Sequence, residues 1–120
     1  MEIDDRLADR ALDLVIRCGR PPFDPIKLQG SCALHVGYFG FSVQCRSELT
    51  LADLAGWCLN RMIGLTNVGA IRELGYDVVI TPGRGHHATV VVNSAWTLAD
   101  SERLGGLFQA ETNHWSRTSP

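Results

Sequence analysis

The stretch that most restricts the fold is Gly75 to Asn93, Gly-Tyr-Asp-Val-Val-Ile-Thr-Pro-Gly-Arg-Gly-His-His-Ala-Thr-Val-Val-Val-Asn. Two runs rich in β-branched residues flank a Pro-Gly-Arg-Gly turn, the pattern of a β-hairpin. Side chains alternate between the faces of a strand, so register decides what the adjacent His86 and His87 do. A bulge at Gly85 puts Tyr76, Val78 and Ile80 on one face with His86, Ala88, Val90 and Val92, a nearly all-apolar set. The other face then carries Asp77, Val79, Thr81, His87, Thr89 and Val91, with Asp77 opposite Thr89 and diagonal to His87. A carboxylate beside an imidazole orients it and raises its pKa, one requirement of general acid–base chemistry. Arg84, in a glycine-rich turn, is placed to hold an anion. On this reading His87, His86, Asp77 and Arg84 are the catalytic candidates if the chain is an enzyme, with His87 and Asp77 the stronger pair. A structural role for the same residues is simpler: His86 at the rim of the core, His87 and Arg84 at the surface.

Preceding the hairpin, residues 4–18 read as an amphipathic helix, with Leu7, Ala11, Leu14, Val15 and Cys18 along one side. Pro21, Pro22 and Pro25 make residues 20–30 a crossing loop. Residues 31–46 read as a first hairpin turning through Gly37-Tyr38-Phe39-Gly40, with Val36 facing Phe41, Leu34 facing Val43 and Cys32 facing Cys45. Its polar side holds His35, Ser42 and Gln44. Thr50 caps a helix whose stripe runs Leu51, Leu54, Ala55, Cys58 and Met62 and which Gly64 ends, and Thr66 caps a short helix that turns Val68, Ile71 and Leu74 inward. Thr97 caps the last helix, and residues 110–120 read as a tail in which Trp115 alone is suited to docking.

Thr-Leu-Ala-Asp occurs at 50–53 and again at 97–100, and the same offset carries the first hairpin onto the second. Helix–hairpin–helix thus reads twice, as an internal duplication would give. The expected fold is α+β: two antiparallel hairpins in one sheet, about four helices on one face, and a single domain over 1–109.

At 120 residues and 45% apolar composition the chain can bury a core without a metal or disulfide. A net charge of −2 argues against a protein that lives on phosphate contacts, so nucleic acid is not the expected partner, although a local basic patch would allow it. No apolar run is long enough to span a bilayer, and the acidic start lacks the order of a signal peptide, which points to the cytoplasm and to four cysteine thiols. The cysteines contain no C-x-x-C pair, and strand parity separates Cys32 from His35, so neither a metal nor a cofactor is expected. None of the cysteines falls at a helix start, which disfavours a thiol hydrolase.

From Thr66 to Gln109 the pattern of helix, Gly-aromatic strand, Gly-x-Gly-His-His strand and final helix locally resembles the HicA-type mRNA interferases. The matching positions are Gly75, Tyr76, Gly85, His86 and His87. The resemblance implies a small α-β-β-β-α toxin in which one of the two histidines is the RNA-cleaving base. Gly85 stands where that family has serine, a third strand is not evident, and the chain is acidic; five residues do not assign it to the family.

Two functional classes fit these features. The first is a non-enzymatic binding or regulatory module using an open sheet face or hairpin edge, with a protein partner or a second copy, and with Trp57, Tyr38, Phe39, His35, Thr89 and Trp115 as contacts. The second is a toxin-like ribonuclease or hydrolase built on His86 or His87 with Asp77 and Arg84.

Overall fold

The computed structural model describes residues 13–46, 49–93 and 95–115. The elements are β1 (Leu14–Cys18), α1 (Pro25–Gly30), β2 (Ala33–His35), β3 (Tyr38–Gln44), α2 (Leu51–Ala55), β4 (Met62–Asn67), α3 (Val68–Glu73), β5 (Asp77–Ile80), β6 (His87–Val91), α4 (Leu98–Gly105) and β7 (Gln109–Thr112). All strands join one antiparallel sheet in the order β5-β6-β3-β1-β4-β7, with β2 paired to β3 off this path. The fold is α+β, and the element order β-α-β-β-α occurs twice before β7.

The expected N-terminal helix is overturned where it can be seen: Leu14–Cys18 is a central strand, while residues 4–12 lie outside the described residues. The apolar run Leu14-Val15-Ile16 matches a helical stripe and a strand buried on both sides equally well. Here β1 runs between β3 and β4, and both faces are buried. The proline-rich segment is not wholly loop either. Asp24 caps α1 through its carboxylate, which accepts from the amides of Ile26 and Lys27, and Pro25 occupies the first turn, where its missing N–H costs nothing.

The expected helix from Thr50 to Gly64 is also shorter. Thr50 caps the helix as expected, in a capping box with Asp53, but α2 ends at Ala55, and Met62–Asn67 is β4. Gly64 is not a stop signal but a mid-strand residue under the Phe23 ring: a Cβ there would lie 2.7 Å from that ring and 3.0 Å from the Phe108 Cβ. Asn67, rather than Thr66, caps α3, and Val68 and Ile71 point inward as expected. The segment expected as a tail from residue 110 begins in β7, which pairs with β4; residues 116–120 are not described.

Consecutive residues of β1 show how the helices are distributed. Val15 joins a core with Leu28 of α1, Val68 and Ile71 of α3 and Leu104 of α4. Ile16 joins a second core with Leu54 and Ala55 of α2 and with Ile63. Neighbouring strand residues point to opposite faces. Three helices therefore cover one face and α2 lies on the other, not all four together. A disulfide between Cys18 and Cys58 fastens the end of α2 to β1, so only Cys32 and Cys45 are thiols, not all four cysteines.

Candidate functional site

The second hairpin keeps the expected parity but not the expected register. Asp77 faces Val91, Val79 faces Thr89 and Ile80 faces Ala88, a slip of two residues that leaves every side chain on its assigned face. Val78, Ile80, Ala88, Val90 and Val92 enter the main core, with Tyr76 packed against it. His87 points to the opposite face.

The slip removes the proposed acid–base pair. Asp77 lies at the far end of β5, where its Oδ1 accepts from the Arg72 Nε at 3.0 Å. Thr81, not Asp77, meets His87. The Thr81 hydroxyl and carbonyl lie 2.9 and 3.3 Å from Nδ1 of His87, and Ser42 Oγ lies 2.9 Å from its Nε2. A carbonyl can only accept, so the proton sits on Nδ1 and Nε2 accepts from the Ser42 hydroxyl. The Thr81 hydroxyl continues the track to Thr89 at 2.8 Å. Burial holds the pKa of His87 below its ordinary value, against the Thr81 carbonyl bond, which raises it. The imidazole is neutral near pH 7, which suits a base rather than an acid.

The turn is held by Gln44, whose Oε1 accepts from the His86 amide at 2.7 Å while its Nε2 donates to the Arg84 carbonyl at 3.1 Å. Its glycines are required by crowding. A Cβ at Gly83 would lie 2.4 Å from the His87 ring, and one at Gly85, where φ is +70°, 2.6 Å from Trp57. The Trp57 ring meets His86 edge-on at 6.1 Å, so His86 sits beside the turn against Trp57 and Arg84 is exposed at its tip.

The first hairpin departs furthest from expectation. Its turn is Val36-Gly37, both at positive φ, and its pairs are Ala33 with Gly40, Leu34 with Phe39 and His35 with Tyr38. Cys32 and Cys45 are not cross-strand neighbours: the Cys45 amide donates to the His86 carbonyl. Burial pushes the two thiols up to about 11 and about 12, so neither is a ready nucleophile.

His35 faces Tyr38, and His87 faces Gln44, six residues further along β3. On a flat sheet they would be separated by about 20 Å along the strands. Their rings are 5.3 Å apart, so the β2–β3 tip curls over the polar face. Gly40 marks the bend: a Cβ there would lie 1.8 Å from the Val90 carbonyl oxygen. The polar face is consequently not open: Thr81 and Thr89 are buried, and His35, Ser42, Gln44 and His87 are half-buried.

Of the expected contact residues, His35 and Trp57 border this site and Thr89 closes its buried end. Phe39 packs against the main core, Trp115 against the α2 core, and Tyr38 is half-buried on the hairpin. Alternation places Ser42 and Thr81 on the polar side, but only the register makes them the partners of His87. No cluster of three or more metal-ligating side chains exists among the described residues.

No protein-family model matches this chain, and no match is found among curated proteins or solved structures. Between β6 and α4 no strand is seen among the described residues, so the resemblance to the interferases does not extend to their third strand.

Proposed function

We propose that the chain is a protein-interaction module that engages its partner through the β2–β3 hairpin. One observation carries this reading. Leu34, on a strand paired along one edge only among the described residues, is 72% exposed, and Val36 at the turn is also exposed. An edge strand with large aliphatic side chains is a template for adding a strand from another chain. The partner is then an extended segment of a second copy or of another protein.

The test is a peptide-display selection on wild type with counter-selection on Leu34→Glu, alongside light scattering across a concentration series. Enriched extended peptides, or a wild-type dimer that Leu34→Glu dissolves, support the reading. A wild type that stays monomeric and enriches no peptide overturns it.

No helix among the described residues is long and apolar enough to cross a membrane. Residence in the cytoplasm belongs to this proposal only with Cys18 and Cys58 reduced, because the bond itself suits an oxidising compartment. Alkylation before cell lysis, followed by thiol counting, separates the two states.

A further inference from the structure

We propose that Ser42 and His87 form a nucleophilic dyad that accepts and hydrolyses short acyl groups delivered as esters, an activity separate from hairpin binding. The geometry has the two bonds such a dyad needs. The Ser42 hydroxyl donates to Nε2 of His87 at 2.9 Å, and the Thr81 carbonyl fixes the tautomer that leaves Nε2 free to accept.

The dyad stands at a break in the sheet. The β1–β3 ladder consists of the single pair Ile16–Gln44, and a cavity of about 200 Å³ opens between the strands. Of its lining residues, Ile16, Cys18, Ser42 and Gln44 face the side on which His87 lies. Sites for drug-sized ligands begin at roughly 300 Å³, so this one fits an acyl chain of a few carbons.

One group is placed to hold the acyl oxygen. Cys45 and Phe39 bond to β6 through their backbones, so parity turns the amide of Ser42 the other way, toward the break. The Ser42 carbonyl, on that same side, is occupied by Nη1 of Arg17 at 2.8 Å.

In the reaction Ser42 Oγ attacks the ester carbonyl while its proton passes to Nε2 of His87. The C–O bond to the leaving alcohol breaks as His87 returns that proton to the departing oxygen. Water then attacks the acyl-Ser42 ester, giving its proton to His87, and the carboxylic acid leaves as the proton returns to Ser42. Thr81 acts as a positioning residue through His87.

The experiment uses the full chain with 4-nitrophenyl acetate and with a fluorophosphonate. The expected result is one covalent group per chain, mapped by peptide mass spectrometry to Ser42, and a burst of nitrophenolate that Ser42→Ala and His87→Gln lower by about 100-fold or more. Thr81→Val should shift the pH midpoint of the burst to lower values, since a hydroxyl accepting from the imidazole is lost. Mapping needs no variant, so it decides the matter even if one misfolds. A label on another residue, no label with either reagent, or an unchanged burst in folded Ser42→Ala overturns the proposal. Loss of hairpin binding in Leu34→Glu bears on the interaction reading alone.

Discussion

Helices α2 and α4 open with the same four residues, Thr-Leu-Ala-Asp, and close the same capping box, yet they lie on opposite faces of the sheet. In each, the N-cap threonine accepts from the amide three residues on, and the aspartate accepts from the threonine amide. The residues after the shared four decide where each helix goes. Beyond α2 the chain reaches Cys58, bonded to Cys18, and Leu54 and Ala55 pack on Ile16 and Ile63. Beyond α4 it reaches Phe108, which packs with Phe23 and Phe41 while Leu104 enters the main core. A cap is a contact within four residues; a docking face is set by partners tens of residues away.

The two helices should therefore respond alike to changes in the cap and differently to changes in their anchors. The largest effect is expected from Cys18→Ala/Cys58→Ala. The bond closes a loop of 40 residues in separation, for which chain entropy suggests a loss of about 4 kcal/mol. Hydrogen exchange should accelerate first at Leu54 and Ala55 and later at Leu104 and Gly105. Equal acceleration would show that the two faces unfold as one unit. Thiol counting in denaturant without reductant should find two free cysteines, Cys32 and Cys45.

A second expectation separates the polar face from the apolar one by pH. The pKa of His87 is lower folded than unfolded, so its neutral form is favoured in the folded chain. Its contribution is complete above the unfolded value near 6.5 and declines as pH falls from there toward the folded pKa, because the unfolded chain takes up the proton first. The slope from this group cannot exceed about 1.4 kcal/mol per pH unit. Denaturant melts of wild type and His87→Gln between pH 7 and 4 should converge as pH falls; parallel curves would show that His87 does not titrate on unfolding.

The smallest effect tests the likeness itself. Thr50→Ala and Thr97→Ala should each cost about 1 kcal/mol, as lost caps do. Costs that differ by more than about 0.5 kcal/mol would mean that docking feeds back on the cap.

Much of the local structure was legible in the chain. Both Thr-Leu-Ala-Asp caps, the inward Val68 and Ile71, and the division of β5 and β6 into an apolar and a polar side come from short-range chemistry and from the period of two along a strand. β1 was not legible, because a strand buried on both faces leaves no alternation to read. The first hairpin misled because its glycines suggested a turn at 37–40, whereas Val36 takes the left-handed conformation and Gly40 serves a bend in the middle of β3.

The same division holds at the site. Alternation along β5 and β6 puts His87 on the polar side with Thr81, Thr89 and Asp77, in either of the neighbouring registers of that parity. The face His87 occupies is thus determined by sequence alone. Which residue meets it is a matter of two residues of slip and of the curl at Gly40, and these depend on core packing and on contacts between β3 and β6. Those long-range contacts give His87 the hydroxyls of Ser42 and Thr81 in place of a carboxylate. Local patterning is set by bonds a few residues long, while register and layer are set by burying the apolar side of the whole sheet at once.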